Sequence, residues 1–246
     1  MIYKVPGPAV LTDRPHQAKW LPEDERVWLI NTLENEKRIK EAKHSLNILQ
    51  AFRHREVVLL TLAYFAMVTS NYGLNFWIPS IVKSLSGLSN LMVSFVSALP
   101  YICGLIAVLI VGWHSDRTRE RRWHTALSMM VASLGLLMSV VLRNYAIFAI
   151  AMLCVTVAGA TSYLPGFWAL PTSFLTGTTA AASIGLINSF GNLGGFVGPY
   201  TVGYLSTKTG SYYPGVLYLS ASALVASFLI LSLRTTRKTR VFTPSE

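Results

Sequence analysis

Met92-Val-Ser-Phe-Val-Ser-Ala-Leu-Pro100-Tyr-Ile-Cys-Gly-Leu-Ile-Ala-Val-Leu-Ile110-Val-Gly-Trp113 contains no charged residue. A helix of this length reaches across the ~30 Å hydrocarbon core of a bilayer. Charge then arrives all at once, in His114-Ser-Asp116-Arg117-Thr-Arg119-Glu120-Arg121-Arg122. From Trp123 to Leu142 the chain is again uncharged. Apolar run, basic turn, apolar run is the pattern of two membrane helices joined on the cytoplasmic side.

Working outward, the same alternation governs the whole chain. Every Asp and Glu lies within residues 1–56 except Asp116, Glu120 and Glu246. Between Val57 and Leu233 the charged residues are Lys83, the cluster Asp116 to Arg122, Arg143 and Lys208. They separate apolar spans near 57–79, 92–113, 123–142, 145–166, 180–204 and 212–233. The sequence therefore predicts an all-α membrane protein. A six-helix transmembrane bundle occupies 56–234, preceded by a cytoplasmic helical segment at 1–55 and followed by a cytoplasmic tail at 235–246. Pro79 is expected to end the first span and Pro100 to kink the second. Pro165 and Pro171 predict an irregular end to the fourth, around Phe167 and Trp168.

Composition supports this reading. The chain is 52% hydrophobic and 13% charged, where soluble domains carry about 25% charged residues. The formal net charge of +10 does not imply a nucleic-acid partner, because the basic residues sit at the ends of apolar spans. Ten Lys and Arg precede the first span, four lie between the second and third, and Arg234, Arg237, Lys238 and Arg240 follow the sixth. The opposite side has only Lys83, Arg143 and Lys208. That bias places both termini in the cytoplasm and the protein in the plasma (inner) membrane, with the lipid bilayer as its solvent. In residues 22–44, Pro22 suits a first helical turn, and Glu23, Asp24 and Glu25 suit its positive end. Cys103 and Cys154 match no disulfide or metal spacing and read as small core residues.

Polar groups inside the spans are few. Asn188 and Asn192 lie one turn apart and share a helix face, as do Asn71 and Asn75. Buried amides must pair or meet water. Tyr72, Asn75, Tyr101, Tyr163, Trp168, Asn188 and Asn192 are the candidate lining of a wet, substrate-binding path. Gly191 with Gly195, and Gly194 with Gly198, read as close helix contacts. No Asp, Glu, Lys, Arg or His lies deep in a span. A membrane-embedded enzyme would need a nucleophile with a base, or a metal site, so no enzymatic activity, cofactor or metal is expected.

The turn Gly112-Trp-His-Ser-Asp116-Arg117-Thr-Arg-Glu-Arg121-Arg122 resembles the cytoplasmic loop motif of the major facilitator superfamily. That motif usually has glycine where Arg119 stands and often an aliphatic residue where His114 stands. The resemblance makes Gly112, Asp116, Arg117, Arg121 and Arg122 a conformational-switch loop. Tyr72-Gly-Leu-Asn-Phe-Trp-Ile-Pro79, Phe167-Trp-Ala-Leu-Pro171, Ile187-Asn-Ser-Phe-Gly-Asn-Leu-Gly-Gly-Phe-Val-Gly-Pro199 and Thr12-Asp-Arg-Pro-His-Gln-Ala-Lys-Trp-Leu21 are similar to the anion–cation symporter branch, in particular its tartrate- and phthalate-type members. The resemblance implies transport of a small organic anion, proton-coupled, by two six-helix bundles. This chain corresponds to the C-terminal bundle, with Met1 where the sixth helix of the family ends. The partner is then an N-terminal six-helix half that supplies the missing intramembrane charges. The alternative is a truncated, non-transporting membrane protein that is a remnant or modulates a full-length relative.

Overall fold

The computed structural model describes residues 15–18, 20–42, 55–174 and 177–233. The expected cytoplasmic tail at 235–246 lies outside them, as does all of the segment before Pro15. Among the described residues every regular element is helical. The chain divides into two units, at Met1–Asn47 and Ile48–Glu246. In the first, helix α1 (Glu23–Ala42) opens with Glu23, Asp24 and Glu25, where the exposed N–H groups of a helix start favour anions.

The second unit holds α2 (Arg55–Ser86), α3 (Asn90–Thr118), α4 (Arg121–Val141), α5 (Ala146–Trp168), the single turn α6 (Pro171–Phe174), α7 (Gly177–Gly191), α8 (Gly194–Thr209) and α9 (Tyr213–Leu231). By length and composition α2, α3, α4, α5 and α9 can each cross a membrane. The span expected at 180–204 is instead two helices of 15 and 16 residues, each short of the ~20 needed. The break has a local cause. Leu193 N–H donates to the Phe190 carbonyl at 3.2 Å, Gly195 to Asn192 at 2.9 Å and Phe196 to Leu193 at 3.1 Å. These are three-residue bonds inserted between two stretches of ordinary helix, the tighter winding that often marks a hinge.

Two further expectations are corrected. The first span does not stop at Pro79, which lies inside the 32-residue α2. The fourth stays helical through Pro165 to Trp168 and turns only at Ala169. In an apolar medium the backbone has no other way to satisfy its polar groups, so a helix continues past a proline that would end it in water.

α2 is the central element, packing against α3, α5, α7, α8 and α9, while α4 packs between α5 and α9. Gly194 and Gly198 permit two close approaches of backbone to backbone. A Cβ on Gly194 would overlap the Phe65 carbonyl and Thr69, and one on Gly198 would overlap the Thr69 carbonyl. Gly195, by contrast, faces the Tyr72 ring with ordinary clearance of 3.5 Å. Buried serines tie α9 in place. Ser133 and Ser220 each donate to the other's carbonyl at 2.8 Å, and Ser227 donates to Ala126 at 2.8 Å. Such bonds hold helices together where apolar packing alone gains nothing over lipid.

The core forms two clusters. Tyr64, Met67, Met129, Phe167 and Ile230 belong to one, and Leu74, Ile78, Leu136, Leu153 and Leu219 to the other. Cys103 and Cys154 are half-buried free thiols on α3 and α5. They are neighbours across the α3–α5 contact, which their sequence spacing concealed.

Candidate functional site

Proline sorts the helices. Pro79, Pro100, Pro165 and Pro199 lie inside α2, α3, α5 and α8, whereas α4 has none and α9 has proline only in its first turn. Each interior proline lacks the N–H that its i−4 carbonyl would accept from. The carbonyls of Asn75, Val96, Thr161 and Gly195 therefore lose a helical partner. Such groups are tolerated at membrane depth where protein or a wet cavity meets them.

On α2 the asparagine pair is brought together. Asn71 Nδ2 donates to the Ala160 carbonyl of α5 at 2.7 Å, and Asn75 Nδ2 donates to Asn71 Oδ1. Asn71 is thus a helix–helix tie, while Asn75 is exposed and keeps its side-chain and backbone carbonyls for another partner. Tyr72, 54% exposed, borders Gly195 of α8. Tyr101 is also exposed, on α3. Asn188 and Asn192 are exposed but bonded to each other, because Asn192 Nδ2 donates to both the Asn188 carbonyl and its Oδ1 at 2.8 Å. The second amide closes the end of α7 at the break.

Tyr163 and Trp168 sit elsewhere. Tyr163 is 3% exposed, with its ring edge-on to Phe167 at 6.2 Å. Trp168 is half-buried against Tyr64 and Phe167, at 5.0 and 5.3 Å. Both belong to an aromatic cluster between α2 and α5.

A feature the sequence reasoning missed is the ladder Phe196, Tyr200, Tyr204 on α8, stacked at 5.5 and 6.4 Å with interplanar angles of 17° and 12°. It lines an open groove of about 600 Å³ with Phe76 and Trp77 of α2. Trp77 Nε1 donates to the Pro199 carbonyl at 2.9 Å across it. The four-residue spacing of the aromatics was the available signal.

The basic turn forms a second cluster. Asp116 lies in the last turn of α3, not at a helix start. An anion is disfavoured there, and Arg121 offsets it at 3.8 Å. Arg117 covers the Trp113 ring at 5.4 Å. Arg122 donates to the Leu233 carbonyl at 2.6 Å. Gly112 meets Pro165 at an ordinary 3.4 Å, and the tighter approach of α3 to α5 falls at Gly104, where a Cβ would sit 3.1 Å from Val157 and Thr161. Arg119 ends α3 in the left-handed region, φ 57°, the one non-glycine residue to do so among the described residues. The reason for a glycine at this position is therefore conformational. At the other end of the bundle, Arg143 lies 4.9 Å from the Tyr213 ring centre and Lys208 4.8 Å from that of Tyr204.

Five helices long and apolar enough to cross a membrane, proline inside four helices, exposed amides and a basic turn make a helical bundle of membrane-protein type. The Major Facilitator Superfamily profile matches residues 7–199, and the chain belongs to that superfamily. It is 42% identical over 220 residues to a "Putative tartrate transporter" of Agrobacterium vitis, covering 89% of this chain and 50% of that protein. It is 38% identical to a "Quinolone resistance transporter" of Acinetobacter baumannii, covering 89% and 50%. It is 35% identical to the "Inner membrane transport protein RhmT" of Escherichia coli K12, covering 92% and 52%. The chain thus spans about half the length of the curated relatives it matches. The Escherichia coli fucose:proton symporter FucP shares the fold with TM-score 0.64 and 15% identity, over 74% of this chain and 43% of that one.

Proposed function

We propose that this chain acts as the C-terminal half of a transporter for small organic anions, tartrate-like carboxylates, coupled to protons. The observation that carries the reading is the 42% identity to the Agrobacterium vitis relative along nearly the whole bundle. Tyr72, Asn75 and Tyr101 would meet the substrate, with Asn188 and Asn192 at the break between α7 and α8. Tyr163 and Trp168 would act from behind, by holding α2 against α5. A carboxylate site wants a cation or helix N-termini, and proton coupling wants an intramembrane ionisable group. Those groups would come from an N-terminal six-helix half. Both termini would be cytoplasmic, with the Asp116–Arg122 turn as the conformational switch in the inner membrane. The reading is of a carrier, not an enzyme.

The test is uptake of radiolabelled tartrate into vesicles holding this chain, alone and together with an N-terminal six-helix bundle from the same genome. Uptake with the partner supports the proposal. No uptake in either case, with the chain folded and inserted, leaves the truncated, non-transporting reading. Quinolone movement without tartrate movement would replace the substrate class.

A further inference from the structure

We propose that His114 and His124 form a binding site for one divalent transition-metal ion of the zinc or nickel class, where the end of α3 meets the start of α4. His114 Nδ1 and His124 Nε2 are 2.6 Å apart, with ring centres at 4.9 Å. His124 Nδ1 lies 2.7 Å from the Glu120 carbonyl oxygen. A carbonyl only accepts, so Nδ1 carries the proton, and in the neutral tautomer Nε2 presents a lone pair towards His114. An imidazole oriented by a bond from its other nitrogen to a backbone carbonyl is the arrangement that metal-ligating histidines use. The remaining proton between the rings sits on His114 Nδ1. When an ion enters, that proton leaves to solvent and one is taken up at His114 Nε2, so no net proton is released and both facing nitrogens become donors.

The space is adjustable. Two imidazoles on a tetrahedral zinc, each at ~2.0–2.1 Å, require a nitrogen separation of about 3.3 Å. The rings must part by about 0.7 Å, on an exposed turn where the chain reverses at Arg119. His114 is exposed and His124 half-buried, so hydrated ions have access. No third histidine, cysteine or carboxylate completes a ligand group among the described residues, so water takes the other positions. The surrounding charges are Asp116 and Glu120 against Arg117, Arg119, Arg121 and Arg122, a repulsive balance for a cation that salt weakens beyond ~10 Å. Those conditions define a labile site, filled and emptied with metal supply. An ion there pins the end of α3 to the start of α4. The inference does not rest on the transport reading.

The experiment is calorimetric titration of the metal-stripped full chain, in detergent micelles, with zinc chloride. H114N, H124Q and H16N variants are run alongside, with folding checked by circular dichroism. One ion per chain is expected for the parent and for H16N. Loss of either ring should weaken binding at least about tenfold, the lower end of what even supporting-shell changes cost. In the parent, the ion should also slow tryptic cleavage at Arg117 to Arg122. Affinity unchanged in both folded turn variants, or equal loss in H16N, overturns the site.

Discussion

Arg122, near the start of α4, donates its guanidinium to the backbone carbonyl of Leu233, just past the end of α9, at 2.6 Å. The Leu233 carbonyl lies beyond the last turn of α9 and would otherwise need water. A residue that sequence reading assigned to an inside-facing charge bias is thus also a clasp between two helices distant in the chain. Arg122→Ala is expected to lower stability by about 1–2 kcal/mol, the range for a partly exposed bond to a charged donor. Chemical unfolding in micelles measures it, and Arg122→Lys should recover part of the loss.

Arg119 closes α3 with φ 57° and its N–H on the Ser115 carbonyl at 2.9 Å. A left-handed non-glycine residue costs about 1–2 kcal/mol, and glycine returns part of that as chain entropy. Arg119→Gly should therefore stabilise the chain by about 0.5–1 kcal/mol. A thermal unfolding series in which Arg119→Gly falls below the parent would refute the strain at this turn.

Gly198 and Gly195 make opposite predictions from three positions apart. Gly198→Ala drives a methyl into the Thr69 carbonyl and should cost about 1–3 kcal/mol. Gly195→Ala meets the Tyr72 ring at 3.5 Å and Val68 at 3.7 Å, both ordinary contacts, and should be neutral or gain up to about 1 kcal/mol from helix propensity. The same unfolding assay separates them, and equal effects would disprove the packing of α8 on α2.

Much of this was legible beforehand, and the failures are instructive. Five of the spans follow from charge exclusion alone, because a bilayer admits few alternatives to an apolar helix. The break after Asn192 did not show, because the apolar period runs straight through it and the three-residue hydrogen bonds around Leu193 are what reveal the change of winding. Tyr72 and Tyr163 look alike in the sequence, yet one is exposed and the other buried. What separates them is Tyr64, stacked on Phe167 at 5.1 Å, a partner on another helix. His114 and His124 are ten residues apart, which is no helical spacing. They meet because the chain reverses at Arg119.

Asp116 and Arg121 are both accessible to solvent and 3.8 Å apart. An ion pair of this kind contributes at most about 1 kcal/mol to stability. Asp116→Ala should leave unfolding almost unchanged. In a transporter reassembled with an N-terminal half, it should slow turnover more than it alters substrate affinity. Uptake rates across substrate concentration test this, and an effect confined to affinity would contradict a switching role.

Cys103 and Cys154 provide a check on the register of α3 against α5. Their thiols are neighbours, so one equivalent of mercuric ion should titrate both. Cys103→Ser should leave a single slow thiol. Two thiols reacting independently would place the helices in a different register.

The uneven placement of proline divides the bundle mechanically. α4 and α9, laced by Ser133, Ser220 and Ser227, have complete ladders and behave as a stiff spine. α2, α3, α5 and α8 each miss one rung where Pro79, Pro100, Pro165 and Pro199 fall, and so can flex there at small cost. Any rocking of this bundle then concentrates its deformation in the pliant helices, beside Asn75 and Gly195, and leaves the spine to carry the motion as a lever.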